Sequence, residues 1–190
     1  MRKNFGPKSW LYPMPVLIIG TYDEAGVANA MNAAWGMVSD IDKVTICLDA
    51  KHKTVKNIMK KKEFTVSMAD AKNLVAADYV GIISGNDVAD KVAKTGWHVT
   101  KSEFVDAPVF EELPMTLECK MISYDKETEL MTGEIVNICI DESILGENGK
   151  VDLSKFKPIA YDSVNHDYVV LGEKVGNAFK DGTKLKQATN

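Results

Sequence analysis

The sequence predicts a mainly β protein, a closed or nearly closed antiparallel barrel with helices on its periphery. Three observations carry this. Apolar residues alternate with period two over short stretches, as where Leu117, Cys119 and Met121 are set against Glu118 and Lys120. Gly, Asp, Asn and Pro turns separate these stretches. Few segments between them read as the helical crossovers that a doubly wound parallel sheet requires.

Taken in order, strands are expected at residues 16–22, 44–49 and 64–68. Two more run through 117–121 and 135–140, antiparallel across the turn Asp125-Lys126-Glu127-Thr128, and a last one covers 168–171. In the 135–140 strand, Val136, Ile138 and Ile140 are expected on the face opposite Ile135 and Cys139. A short helix is predicted from 54 to about 62, with Val55, Ile58 and Met59 on one side, and another from 71 to about 79. The stretch 85–95 has room for a third. No segment repeats and no Gly/Ser-rich linker divides the chain, so residues 1–190 are expected to form one domain. The polar tail 180–190, with its single Leu185, is expected to fray or to cross a neighbouring subunit.

Composition narrows the function. A chain of 190 residues with 45% in the hydrophobic set can bury a continuous core. Its 23 basic and 27 acidic residues give a net charge of −4, which offers no global attraction to nucleic acid or anionic lipid. Apolar stretches such as 16–19 fall far short of the ~20 residues that cross a bilayer. The basic start leads into Ser9-Trp10-Leu11 without an apolar h-region, so no secretion signal is read and a cytoplasmic location is expected. Cys47, Cys119 and Cys139 are far apart, form no CxxC pair and lie in apolar stretches, which favours packed thiols over a disulfide framework. His52, His98 and His166 have no metal-ligand spacing, and no metal site is expected. No GxSxG, strand-linked GxGxxG or GxxxxGK[ST] is present.

Two constellations could carry chemistry. From Lys51 to Lys62, six of twelve residues are lysine, and Thr54 stands where the predicted helix would be N-capped. A helix N-terminus with a hydroxyl and adjacent ammonium groups suits a phosphate monoester, which assigns that role to Lys53 and Thr54 and leaves Lys60, Lys61 and Lys62 as a solvated face. The second constellation is Gly26-Val27-Ala28-Asn29-Ala30-Met31-Asn32-Ala33-Ala34-Trp35-Gly36. Small side chains there let backbone approach a flat ligand, Asn29 and Asn32 add amide groups, and Trp35 could wall a pocket. A hairpin whose alanines and Trp35 pack in the core accounts for the same composition. Lys91, after the turn Ser84-Gly85-Asn86-Asp87, is a lone cation that reads by itself as a surface lysine.

Together these pieces resemble the flavin reductase-like family with the FMN-binding split barrel, and within it the flavoredoxin-type branch. The residues that carry the resemblance include Tyr12-Pro13-Met14-Pro15-Val16, Asn29-Ala30-Met31-Asn32-Ala33-Ala34-Trp35-Gly36, Lys53-Thr54-Val55-Lys56-Asn57-Ile58, Asp90-Lys91, Glu112-Leu113-Pro114 and Thr132-Gly133-Glu134-Ile135. The resemblance implies a homodimer of six-stranded antiparallel Greek-key split barrels, each holding one non-covalent FMN near the subunit interface. It implies that Asn29, Ala30, Met31, Asn32, Ala33 and Trp35 border the isoalloxazine and ribityl chain. Lys53 and Thr54 would take the phosphate, Lys91 would reach the flavin, and Tyr161 or Tyr168 would lie near the ring. Some relatives carry a histidine before the Gly-Glu of the later strand; Thr128-Glu129-Leu130-Met131-Thr132 has none. The implied function is an oxidoreductase or electron carrier passing reducing equivalents from NAD(P)H or a protein partner to flavin, ferric complexes or another acceptor. It needs binders and tuners of the cofactor and no catalytic acid or base. An FMN-binding or storage module without turnover is the alternative.

Overall fold

The computed structural model describes residues 1–189. In chain order its strands and α-helices are β1 (Met14–Pro15), β2 (Leu17–Tyr22), β3 (Ala28–Ala33), β4 (Gly36–Asp40), β5 (Lys43–Cys47), α1 (Lys53–Lys61), β6 (Glu63–Met68), α2 (Leu74–Ile82), β7 (Val99–Lys101), β8 (Pro108–Phe110), β9 (Met115–Asp125), β10 (Leu130–Ile140), α3 (Leu153–Phe156), β11 (Ile159–Asp162) and β12 (Asp167–Val170). Seven of the strands form one antiparallel sheet in the order β3-β2-β6-β9-β10-β5-β4. The sheet curls until its two edges, β3 and β4, lie near each other, joined through Ala34 and Trp35 but not paired as strands. That gap makes the barrel a split one. The sheet has seven strands rather than the expected six. β1, β11 and β12 form a small second sheet, and β7 pairs with β8.

Alternation along each strand divides the core in two. Leu17, Ile19, Ala33, Ile46, Phe64, Val66 and Cys119 face the barrel interior, which Val55 and Ile58 of α1 plug. Val16, Ile18 and Ala30 face outward and are covered by Ala77 and Val80 of α2, Trp97, Phe110 and Ile159. Polar residues pin these layers: Asn57 Nδ2 of α1 donates to Thr21 Oγ1 of β2 at 3.0 Å, and Thr65 Oγ1 of β6 donates to Pro108 O of β8 at 2.6 Å. The Phe64 ring packs where Gly133 has no side chain; a Cβ there would collide with it.

The sequence-predicted strands all form, and β9 and β10 are longer than the apolar alternation reached. The alternation expected in 135–140 does not hold, because register shifts at Thr132/Gly133 and Ile135/Asn137 break the period of two. Ile135 packs on the interior core, whereas Ile138 and Cys139 are both exposed. Of the three cysteines only Cys119 is fully packed, its thiol pushed up to about 12 by burial. The stretch 85–95 yields a single 3-10 turn at Ala93–Thr95 rather than a helix. Among the described residues no helix is long and apolar enough to cross a membrane.

Phe64→Ala, which empties the barrel interior over Gly133, is expected to lower unfolding free energy by about 3–5 kcal/mol in urea melts. Cys139→Ser, on the exposed side of the bulge, is expected to change it by less than ~0.5 kcal/mol.

Candidate functional site

Edge strand β3 is the base of the site. Asn29 points to the barrel-interior side, where its Nδ2 donates to Thr54 Oγ1 at 2.8 Å in the first turn of α1. Asn32 points to the other side, where its Nδ2 donates to Ala77 O of α2 at 3.1 Å. Each helix is thus tied to β3 by one asparagine amide. Two glycines allow the approach. A Cβ at Gly81 would lie 3.0 Å from Asn32 Cβ, and one at Gly85 would run into Asn29 Oδ1 and lie 3.3 Å from Lys53 Cβ. The loop after α2 is held to α1 as well: Lys56 Nζ donates to Asn86 Oδ1 at 2.9 Å, and Asn86 Nδ2 donates to Lys51 O at 3.2 Å.

Between the helices a cleft of about 200 Å³ opens along β3. Asn29, Met31, Asn32, Lys53, Thr54 and Lys91 all line it, with His52, Gly85 and the last residues of α2 completing the wall. α1 begins at Lys53 with His52 at the N-cap position, and no side chain caps it. Thr54 is therefore not the cap that its sequence position suggested. It lies in the first turn, buried, with its hydroxyl held by Asn29. With no acidic residue in that turn, the first amide N–H groups of α1 stay available to an anion.

Lys91 is the other cation of the cleft and is not a surface lysine. It is only 3% exposed, and its Nζ donates to Val80 O at 3.1 Å and Ile83 O at 2.7 Å at the end of α2. An ammonium has three donors, so one remains for a ligand. Burial pushes its pKa down to about 8. The neighbouring Lys53 lines the cleft and pairs with Asp23 at 3.3 Å.

The other sequence-predicted residues lie elsewhere. Ala30 is buried in the outer core and Ala33 in the barrel interior, while Met31 packs on the interior core as well as lining the cleft. Trp35 is 59% exposed beyond the far end of β3, where its carbonyl accepts from Cys47 N. It is neither in the core nor in the cleft. Four residues separate Asn29 from the end of β3, a span of ~13 Å at the rise of an extended strand. Tyr161, on β11, packs against the outer core and bonds His166 Nδ1 through its hydroxyl at 2.7 Å, away from the cleft. Tyr168 stands closer: its hydroxyl donates to Asp78 Oδ1 of α2 at 2.8 Å. Burial and that bond push its pKa up to about 12, against a hydrogen bond from Asn32 that lowers it. The residues that sequence reasoning missed are Gly81, Gly85 and Asn86; the turn Ser84-Gly85-Asn86-Asp87 was the only signal for the last two, and Gly81, inside α2, gave none.

The donor set fits a phosphate monoester on a polar chain: free helix N–H groups, a spare ammonium donor on Lys91, the Lys53 ammonium and two asparagine amides. Sites that enclose a drug-sized ligand measure roughly 300–1,000 Å³. A cleft of about 200 Å³ has room for a phosphate group but not for a fused ring system, which would have to lie along its open side.

The curled, split antiparallel sheet is shared with flavin reductase-like proteins. The chain belongs to that family: residues 9–163 match the flavin reductase like domain. It is similar to the flavoredoxin of Desulfovibrio vulgaris (Miyazaki F), at 34% identity and a TM-score of 0.91, covering 96% of this chain and all of that one. It also resembles a flavoredoxin from Methanosarcina acetivorans, at 25% identity and TM-score 0.88, covering 97% of this chain and 99% of that one. An FMN-binding domain of a flavin reductase-like enzyme from Shewanella baltica OS155 shares the fold at 22% identity and TM-score 0.78, over 86% and 88% of the two chains.

The buried Lys91 predicts a pH dependence. Its pKa in the folded protein, about 8, lies below the ordinary 10.5 of the unfolded chain. Across that interval the unfolded state binds more protons than the native one, so stability rises with pH; below pH 8 both states are protonated and the slope vanishes. Urea melts of the ligand-free protein are expected to show this gain from pH 8 to 10.5, and Lys91→Met is expected to remove it.

Proposed function

We propose that the protein binds FMN in this cleft and works as a flavin-dependent oxidoreductase or electron carrier. It takes reducing equivalents from NAD(P)H or a protein partner and hands them to flavin, a ferric complex or another acceptor. The observation that carries this reading is the convergence on β3 of the uncapped start of α1, with Lys53 and Thr54, and the buried ammonium of Lys91. When bound, FMN supplies the hydride and one-electron chemistry, and the protein supplies position and electrostatics. Lys53, Lys91 and the α1 amides hold the phosphate end; Asn29 and Asn32 orient the polar chain. The fixed positive potential from Lys91 and the α1 N-terminus favours added negative charge nearby. No acid or base side chain is assigned to the reaction.

The protein acts as a homodimer in the cytoplasm on this reading. Support for the dimer comes from β4, an edge strand whose Met37 and Val38 are exposed beside Trp35 and the fully exposed Ile41. An apolar edge with unpaired backbone groups is a template for a second copy.

Three measurements test this. Lys53→Ala is expected to weaken FMN by about one to two orders of magnitude while leaving riboflavin nearly unchanged, since the lost contact is a charge-assisted bond to phosphate. Lys60→Ala, whose ammonium pairs with the exposed Glu24, serves as the control. Equal loss for both flavins would place the phosphate elsewhere. Light scattering is expected to give a dimer mass, and Val38→Asp a monomer. Steady-state NADH oxidation with added FMN separates a reductase from a storage module, which would bind FMN without turnover.

A further inference from the structure

Lys91 carries its charge without a counter-ion. It is 3% exposed, and among the described residues no carboxylate pairs with it, so that burial alone moves its pKa. Lys53, Lys60, Lys61, Lys94 and Lys101, by contrast, pair with carboxylates nearer the surface. A buried, unpaired ammonium is unfavourable, and a lysine in that position gives up its proton more easily than one in water. The surroundings suit the neutral amine. An amine keeps two N–H groups, which satisfy Val80 O and Ile83 O, and the third corner of the nitrogen then carries a lone pair in place of a hydrogen.

That nitrogen stands at the cleft between α1 and α2. Both of its carbonyl partners belong to residues that line the cleft, so Lys91 meets the space through its amino end. The α1 side of the same space is built for an anion, with the free amide N–H groups of the first turn and Lys53. Asn29 adds a further donor there. Its Nδ2 donates to Thr54 Oγ1, and the Thr54 hydroxyl makes no other hydrogen bond among the described residues, so its own proton is left to give. At about 200 Å³ the cleft is sized for one small molecule, which a nucleophile and an anion cradle then share.

We infer that Lys91 is an acylation site for short-chain acyl phosphates: the cradle at the start of α1 holds the phosphate, and the amine takes the acyl group. The inference rests on the anion cleft and does not need FMN to be its ligand. Among electrophiles that carry a phosphate, an acyl phosphate is the one whose leaving group is the phosphate itself, so the donors that bind it also assist its departure. The Lys91 lone pair attacks the carbonyl carbon and forms the N–C bond, and the bond from that carbon to the phosphate oxygen breaks. Its electron pair leaves on the phosphate, where the α1 amides and Lys53 stabilise the added charge, and one amine proton follows to the phosphate. An amide remains. Its single N–H keeps the buried Val80 O, and the part-buried Ile83 O turns to water. The acylated side chain is neutral, so the cleft loses a cation and part of its hold on any anion.

Acetyl phosphate tests this on the full chain. Acetylation at each lysine is followed in time by proteolysis and mass spectrometry, with Lys60, exposed and paired with Glu24, as the reference. With a pKa of about 8, Lys91 is about half neutral at pH 8, against roughly 0.3% for a lysine at the ordinary 10.5. It is expected to react at least about tenfold faster than Lys60 at pH 8, at a rate that rises up to that pH and levels off above it. Excess inorganic phosphate is expected to slow Lys91 about tenfold and leave Lys60 unchanged, and Lys53→Ala to act in the same direction. p-Nitrophenyl acetate, an acetyl donor without the phosphate, is expected to show no preference for Lys91. The inference is overturned if Lys91 stays unmodified or reacts no faster than Lys60, if phosphate slows both lysines alike or neither, or if p-nitrophenyl acetate prefers Lys91 as strongly. Added FMN keeps the two readings apart. Protection of Lys91 by FMN supports both; fast acetylation indifferent to bound FMN removes FMN from this cleft and leaves the acylation site standing; FMN binding by a chain whose Lys91 shows no preference sinks the acylation site alone.

Discussion

The structure turns on how edge strand β3 holds two helices with two amides. Because successive side chains of a strand point to opposite faces, Asn29 and Asn32, three residues apart, face opposite sides of the sheet. One takes hold of α1 through Thr54, the other of α2 through Ala77 O. The contact is close enough that Gly81 and Gly85 tolerate no side chain. The open edge of the sheet is thereby covered by the first turn of α1 and by α2, and the cleft is the seam that this covering leaves. Loss of the Asn29 amide would free the start of α1, and loss of the Asn32 amide the middle of α2.

Charge in this acidic protein is less diffuse than its lysine-rich segment suggests. Lys53 pairs with Asp23, Lys60 with Glu24, and Lys61 with Asp106, which Lys101 also reaches. Half of the island's six lysines are thus paired with a carboxylate on the same surface. Directed at the cleft are the start of α1, the ammonium of Lys91 and Lys53, which lines it beside its pairing with Asp23. Lys91 also answers the C-terminal carbonyls of α2, so one buried cation holds the end of that helix and lines the cleft. Its depressed pKa follows from that position: the site retains a desolvated charge that a bound anion would stabilise.

The two cores divide the labour. The barrel interior, plugged by α1, fixes the strands that carry β3. The outer core, with α2, Trp97 and Phe110, sets where α2 lies and hence the shape of the cleft it borders.

Much of this was legible from the chain alone. Alternation at Leu117, Cys119 and Met121 and the apolar 3.6-residue face of Val55, Ile58 and Met59 are local patterns, and the strands and helix they predicted are present. The site's cast was partly legible too: Asn29, Asn32, Lys53 and Thr54 stood out from the residues themselves and Lys91 only through the family resemblance, and all five line one cleft. What the sequence could not supply depends on pairing across long separations. The bulges of β10 exist because β9 is its partner, and they reversed the exposure expected of Cys139. Trp35 is exposed because the sheet parts between β3 and β4, which no local pattern encodes. Lys91 is buried because a helix that ends nine residues earlier, at Ile82, sets its last carbonyls on the ammonium, and the same sequence in an open turn would leave it in water. Local propensity decided the elements; burial and hydrogen-bond satisfaction among distant residues decided which of their side chains share a site.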